Sequence, residues 1–197
     1  MRGGLLIAVE GIDGSGKTTQ AKRLVRWLRE RGVSAQYTRE PTDGQIGRIL
    51  KAMALRRRVN PYLEALLFAA DRLQHLERTI EPLLSKGYVV VSDRYLHSSL
   101  AYQAATTGDP EWVRELNKHV RRPDLALLLD VRPQIGLRRI RRKRRSRFEQ
   151  VELLEKIREN YLRMVERGEL LLVDASRDAE TVSETIREIV GEFLERT

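Results

Sequence analysis

Short apolar runs and longer helical patterns alternate along the chain from end to end. Leu5–Glu10 reads as a buried strand, and Lys17–Arg31 as an amphipathic helix closed by Gly32. Ser34–Thr38 is a second strand candidate, followed by a turn at Pro41–Gly44. Helical patterns then cover about Gln45–Arg57 and Pro61–Ser85, with Pro61 suited to a first helical turn and Gly87 breaking the second pattern. Tyr88–Ser92, Leu125–Asp130 and Leu170–Asp174 complete a set of five strands. Leu96–Ala105 and Glu111–Val120 read as helices, and Ala179–Glu195 as the closing helix. Apolar strands separated by helices belong in a parallel sheet buried on both faces. The expected fold is therefore α/β, a doubly wound five-stranded parallel sheet flanked by helices, in one domain spanning 1–197 without repeat or linker. Ligands of such sheets sit at the carboxyl ends of the strands.

Composition narrows the class. At 197 residues and 41% apolar content the chain has enough for a sizeable core, which excludes disorder throughout. The longest apolar run, Ala65–Ala70, is far too short to span a membrane, and the start of the chain lacks a signal-peptide pattern. With no cysteine, disulfides, zinc fingers, iron–sulfur clusters and thiol catalysis are excluded. A soluble, cytoplasmic protein is expected. The net charge of +9 at first points to nucleic acid, but residues 138–147 carry eight cations and no acid, leaving +1 for the rest. The basicity is one local patch.

After the first strand comes Gly11-Ile12-Asp13-Gly14-Ser15-Gly16-Lys17-Thr18, which matches G-x-x-x-x-G-K-S/T at every fixed position. The glycines allow tight curvature, so successive N–H groups converge on phosphate oxygens, and the following helix adds its positive end. Lys17 would reach the β- and γ-phosphates of ATP, and the Thr18 hydroxyl would bind Mg²⁺. The guanine-reading N-K-x-D motif of a GTPase is missing: Asn117-Lys118-His119-Val120 lacks the Asp. A small phosphotransferase is the leading class.

Ser92-Asp93-Arg94-Tyr95 reaches the same sheet edge from the third strand. Asp93 suits the water shell of Mg²⁺ and Arg94 a bidentate phosphate clamp, unless the two form a structural ion pair. Asp130, ending the fourth strand, is a rival metal carboxylate. Phe68 and Arg72 lie four apart on one helix face, a flat apolar surface beside a planar donor fork, suited to a base ring. Ser98 and Tyr102 repeat that spacing beside Ser99, which by itself leaves them ordinary helix residues. His75, His97 and His119 have no metal-ligand spacing and read as ordinary surface or helix residues, and Trp27 and Trp112 as packing residues.

Together these blocks resemble the thymidylate kinases, P-loop nucleoside monophosphate kinases. The resemblance rests on Glu10–Gln20, Thr38-Arg39-Glu40-Pro41, Leu67–Arg72, Ser92–Tyr95, Ser98–Gln103, Arg122-Pro123-Asp124, Leu128–Val131 and Arg158–Leu162, in the family's order across nearly the whole chain. It implies ATP- and Mg²⁺-dependent phosphorylation of dTMP to dTDP by a homodimer. It also implies that Phe68 stacks on thymine, Arg72 meets the carbonyl edge, Arg94 holds the dTMP phosphate and Asp13 reaches the sugar 3′-hydroxyl. Tyr102 would lie against the deoxyribose with Ser99 nearby, Glu40 and Pro41 would shape the loop around the acceptor phosphate, and Ala175-Ser176-Arg177 would pass the adenine.

The resemblance also gives the basic patch a role. Members with glycine in the P-loop, here Gly14, bring the arginine from a lid, here about 137–150, with Arg141 and Arg147 best placed. Ser146 stands where relatives often have Asp. An arginine there stabilises charge spreading over the transferring oxygens, worth ~10³–10⁵ in rate in related systems. Without the resemblance the patch reads as a solvated helix face or an RNA-binding strip. Two alternatives follow: a kinase for another monophosphate such as dUMP, or an RNA-binding protein, which leaves the P-loop and Phe68 with Arg72 unexplained.

Overall fold

The computed structural model describes residues 3–56, 58–140 and 148–196. Its five strands are β1 (Leu5–Glu10), β2 (Ala35–Arg39), β3 (Val89–Asp93), β4 (Leu125–Asp130) and β5 (Leu171–Asp174). They pair in the order β2-β3-β1-β4-β5, parallel throughout, with Ile7 opposite Val91 and Val9 opposite Leu127. Leu6, Ile7, Ala8 and Val9 of the central strand are fully enclosed. Each such Leu, Ile or Val contributes about 1.5–3 kcal/mol by leaving water. This is the expected α/β sheet. β2 and β3 end one residue later than the apolar pattern implied, because the ladder continues through Arg39 and Asp93.

The helices are α1 (Lys17–Glu30), α2 (Gln45–Met53), α3 (Pro61–His75), α4 (Glu81–Leu84), α5 (Leu96–Thr107), α6 (Pro110–Leu116), α7 (Pro133–Arg139), α8 (Val151–Glu166) and α9 (Ala179–Arg196). α1 buries Ala21, Leu24, Val25 and Leu28 and packs beside α9. α5 is enclosed from Leu96 to Ala104, because α3, α6 and α8 all pack against it.

Several helical expectations need correction; α2, for one, stops at Met53 rather than near Arg57. The pattern over Pro61–Ser85 is not one helix: α3 stops at His75, a π-helical turn covers Leu76–Ile80, and α4 follows. Pro82 has no N–H to donate and its ring crowds the carbonyl four residues back, so the helical register must change before it. The segment expected as Glu111–Val120 is helical only over Pro110–Leu116. α7 and α8 were not anticipated, yet Leu154, Ile157, Tyr161 and Met164 repeat at three and four residues and form the buried face of α8.

Candidate active site

A cavity of about 1050 Å³ opens at the carboxyl edge of the sheet, between the β1–α1 loop at one side and α3 and α5 at the other. Asp13 to Thr18 line it, while Gly11 and Ile12 are not among the lining residues. Gly14 has a φ of +81°, and a Cβ there would stand 2.0 Å from the carbonyl oxygen of Gly136 on α7. Only glycine fits both the left-handed backbone and that approach. Lys17 Nζ is folded back onto the loop, donating to Ile12 O at 2.7 Å and to Ser15 Oγ at 3.4 Å. Burial, helped by Arg94, pulls its pKa down to about 8, against the pull of Asp13, Asp93 and Glu10.

Thr18 Oγ1 donates to Asp93 Oδ2 at 2.5 Å, and Tyr37 OH donates to the same oxygen at 3.3 Å. Burial and the neighbouring carboxylate push the Tyr37 phenol up to about 12, so it stays a donor. A hydroxyl and a carboxylate therefore stand side by side at the N-terminus of α1. These are hard oxygen donors, and a nucleotide-borne Mg²⁺ needs only one or two of them from the protein. Among the described residues there is no cluster of three acidic, His or Cys side chains fit for a protein-held metal. Asp130 is committed elsewhere, accepting from Arg158 Nε and Nη2 at 2.7 Å each.

Arg94 follows β3 with a φ of +71°, the one positive-φ residue other than glycine among those described. Its guanidinium lines the cavity, pairs with Asp13, and lies 4.8 Å above the Tyr102 ring. Weaker contacts run from Nη1 to Gly11 O and Ser98 Oγ, each 3.4 Å, and from Nη2 to Tyr102 OH at 3.3 Å.

Phe68 and Arg72 line the same cavity from α3, as their spacing requires. Arg72 is only 1% exposed. Its Nε donates to Glu40 Oε2 at 2.9 Å, Nη1 to Asn117 Oδ1 at 2.6 Å and Nη2 to Tyr95 O at 3.1 Å. Glu40, joined to Pro41 by a cis peptide, also meets His75 Nδ1 at 3.1 Å, and His75 Nε2 meets Thr38 Oγ1 at 2.6 Å. Glu40 thus engages Arg72 and His75, the partners that sequence alone did not name.

Two histidines need correcting. His75 belongs to this buried cluster, and His97 is enclosed too. Burial, reinforced by Arg122, Arg72 and Arg114, pulls the His97 pKa down to about 3.

On α5 the cavity is lined by Ser98, Tyr102 and Gln103; Ser99 is not among the lining residues, and its buried Oγ has no hydrogen-bond partner among the described residues. Gln103 and Phe148 were missed. Gln103 is a buried amide at the cavity wall, and Phe148 meets the Tyr102 ring edge-on at 5.5 Å. Nothing in their spacing marked them.

At the other end Arg139 donates to Ala175 O at 2.8 Å and Ser176 O at 3.2 Å, drawing the β5–α9 loop to the cavity rim beside Arg177, Asp178 and Val182. Arg141 and Arg147 lie outside the described residues.

Comparison with known proteins agrees with this geometry. Residues 9–186 match the family model described as thymidylate kinase. A protein of Pyrococcus abyssi named "Probable thymidylate kinase" is 44% identical, covering 97% of this chain and 98% of its own. Others with the same name come from Staphylothermus marinus, at 43% identity over 97% and 96% of the two chains, and Pyrobaculum calidifontis, at 44% over 94% and 95%. The chain belongs to the thymidylate kinase family.

Proposed function

We infer that this protein transfers the γ-phosphoryl group of ATP to dTMP, giving ADP and dTDP, and that residues 1–197 act as one kinase domain. The observation that carries this reading is the sharing of one cavity by two anion-binding elements, the P-loop with Lys17 and the Arg94 guanidinium, with Phe68 and Arg72 beyond them. The P-loop amides and Lys17 take the donor phosphates, and Arg94 takes the acceptor phosphate.

In the reaction an oxygen of the dTMP phosphate bonds to the γ-phosphorus while the bridging β–γ bond breaks, its electron pair leaving on ADP. The acceptor oxygen is already anionic, so no general base is needed, and the protein works by alignment and charge neutralisation. Phe68 gives the thymine ring a stacking face, and Arg72 and Gln103 present donors and an acceptor to its polar edge. Asp13, paired with Arg94, stands where the sugar 3′-hydroxyl would reach it, and Tyr102 closes the space beside C2′. Pro41 walls the acceptor loop, and Ser99 supports the pocket from behind.

Thr18 and Asp93 would hold Mg²⁺, which when bound neutralises the donor phosphates. The segment 137–150 is proposed as the lid, with Arg141 and Arg147 meeting the transferring group. The rim loop at Ala175–Arg177 would pass the adenine. Among the described residues no helix is long and apolar enough to cross a membrane; that the reaction runs in the cytoplasm is part of the same proposal. An exposed apolar stripe on α3, formed by Leu63, Leu66, Ala70 and Leu73, supports a homodimer.

ADP release from ATP with dTMP, dUMP, UMP, CMP, AMP and GMP as separate acceptors tests the reading. Clear preference for dTMP is expected. Turnover on another acceptor would overturn the roles of Phe68 and Arg72, and none at all would return weight to an RNA-binding strip.

A further inference from the structure

We propose that Glu10 is a positioning residue, fixing both the backbone and the side chain of Arg94 for the acceptor phosphate; this rests on the reading of Arg94 given above. Glu10 ends β1, immediately before the P-loop, and is fully buried. Burial pushes its pKa up, and the Ser98 hydroxyl, the Arg94 and Arg72 charges and the Tyr95 amide work against that, so a carboxylate here depends on the donors around it. Three hydrogen-bond to it: Tyr95 N at 2.9 Å to Oε1, and Ser98 Oγ at 2.6 Å and Tyr161 OH at 3.1 Å to Oε2. Among the described residues, His97 Nδ1 comes within 4.0 Å of Oε1, on a ring that burial keeps neutral near pH 7. Glu10 is therefore held by hydrogen bonds that converge on the segment carrying Arg94.

The first of these bonds acts on the backbone. The left-handed φ of Arg94 is unfavourable for a side-chain-bearing residue and persists only where its neighbours over-determine it. Arg94 N donates to Val9 O at 3.0 Å, and Arg94 O accepts from Ser92 Oγ at 2.7 Å. The next amide, Tyr95 N, is the one that Glu10 captures. Both peptide groups flanking Arg94 are thus pinned to the end of β1.

The second bond acts on the side chain. A hydroxyl has one proton, and Ser98 commits its proton to Glu10. Its lone pairs are then left to face Arg94 Nη1, 3.4 Å away. Without the carboxylate the Ser98 hydroxyl is free to turn its proton toward the guanidinium. Tyr161 OH, 3.0 Å from Ser98 Oγ, is ordered by the same carboxylate. α8 is thereby tied into the network that orients the acceptor clamp.

The test compares dissociation constants for dTMP and thymidine by calorimetry in the wild type, Arg94→Met and Glu10→Gln. Thymidine has the base and sugar but no phosphate, so it reports the pocket without the clamp. Glu10→Gln keeps the shape and replaces an acceptor oxygen by an amide donor facing Ser98 and Tyr161. It should weaken dTMP about tenfold or more and leave thymidine within about twofold. An unchanged ratio of the two affinities, or an equal loss in both, overturns the proposal. Arg94→Met separates the two layers: if that variant also keeps the wild-type ratio, the reading of Arg94 fails rather than the role of Glu10. Should Glu10→Gln not fold, Tyr161→Phe removes a single bond to the carboxylate and should lower the dTMP-to-thymidine ratio about threefold. A ratio unmoved in that variant counts equally against the proposal.

Discussion

Arg72 Nη1 donates to Asn117 Oδ1 at 2.6 Å within the buried interior. Asn117 is itself fixed, its Nδ2 donating to Val113 O at 2.8 Å. With Glu40 on Nε, the guanidinium is locked before any ligand arrives, so binding loses little rotamer freedom. Asn117→Ala would leave a buried N–H unpaired at a cost of about 1–3 kcal/mol. The KM for dTMP should rise several-fold with little change for ATP. Steady-state kinetics with each substrate varied decides it, and parallel changes in both constants would make Asn117 merely structural.

Lys17 carries a prediction in pH. Its pKa is pulled by burial to about 8, below the ordinary value of 10.5. Between those values the unfolded chain holds more protons than the folded one, so this group's contribution to stability rises with pH across that window. Below about 8 the lysine is charged in both states and its full burial cost is present. Lys17→Met should therefore be more stable than the wild type at pH 7, by on the order of 1–3 kcal/mol, and the gap should narrow as the pH rises past 8. The same variant should lose nearly all turnover while keeping its dTMP affinity. In the wild type near pH 8.5, ATP phosphates should draw a proton back onto the amine. Calorimetry in buffers of different ionisation enthalpy reads that uptake, and its absence would place Lys17 away from the donor phosphates.

Gly136 supplies a third test. A Cβ on it would stand 2.6 Å from the carbonyl oxygen of Asp13, so α7 rests backbone to backbone on the P-loop. Gly136→Ala must push the two apart, at about 1–3 kcal/mol. The KM for ATP should rise more than that for dTMP, with a lower midpoint in thermal unfolding. The contact also explains why position 14 holds glycine: any side chain there meets Gly136 first.

The sheet was legible because buried parallel strands are apolar on both faces, as Leu5–Val9 and Leu125–Leu129 are. The P-loop was legible because its function constrains neighbours in sequence. What escaped is set by contacts across long separations. Asn117 could be read only as part of a failed GTPase motif, although its partner Arg72 lies 45 residues away. His75 joins Glu40 across 35 residues, and Glu10 joins Tyr161 across 151. Periodicity tells which face of a helix is buried, not which side chain waits there.

α3 bears two faces with different tasks. Phe68 and Arg72 turn toward the cavity, while Leu63, Leu66 and Leu73 stand 52%, 48% and 44% exposed. At 100° per residue the two sets point in nearly opposite directions. A continuous apolar stripe of this kind is more than scattered surface leucines require. If a second copy covers it, the helix that carries the base pocket is braced from outside. Leu66→Glu would then give monomers in sedimentation velocity and, because α3 loses its brace, raise the KM for dTMP more than that for ATP. A wild type already monomeric at micromolar concentration would sink the interface. A variant that becomes monomeric with unchanged kinetics would keep the interface and remove its influence on the pocket.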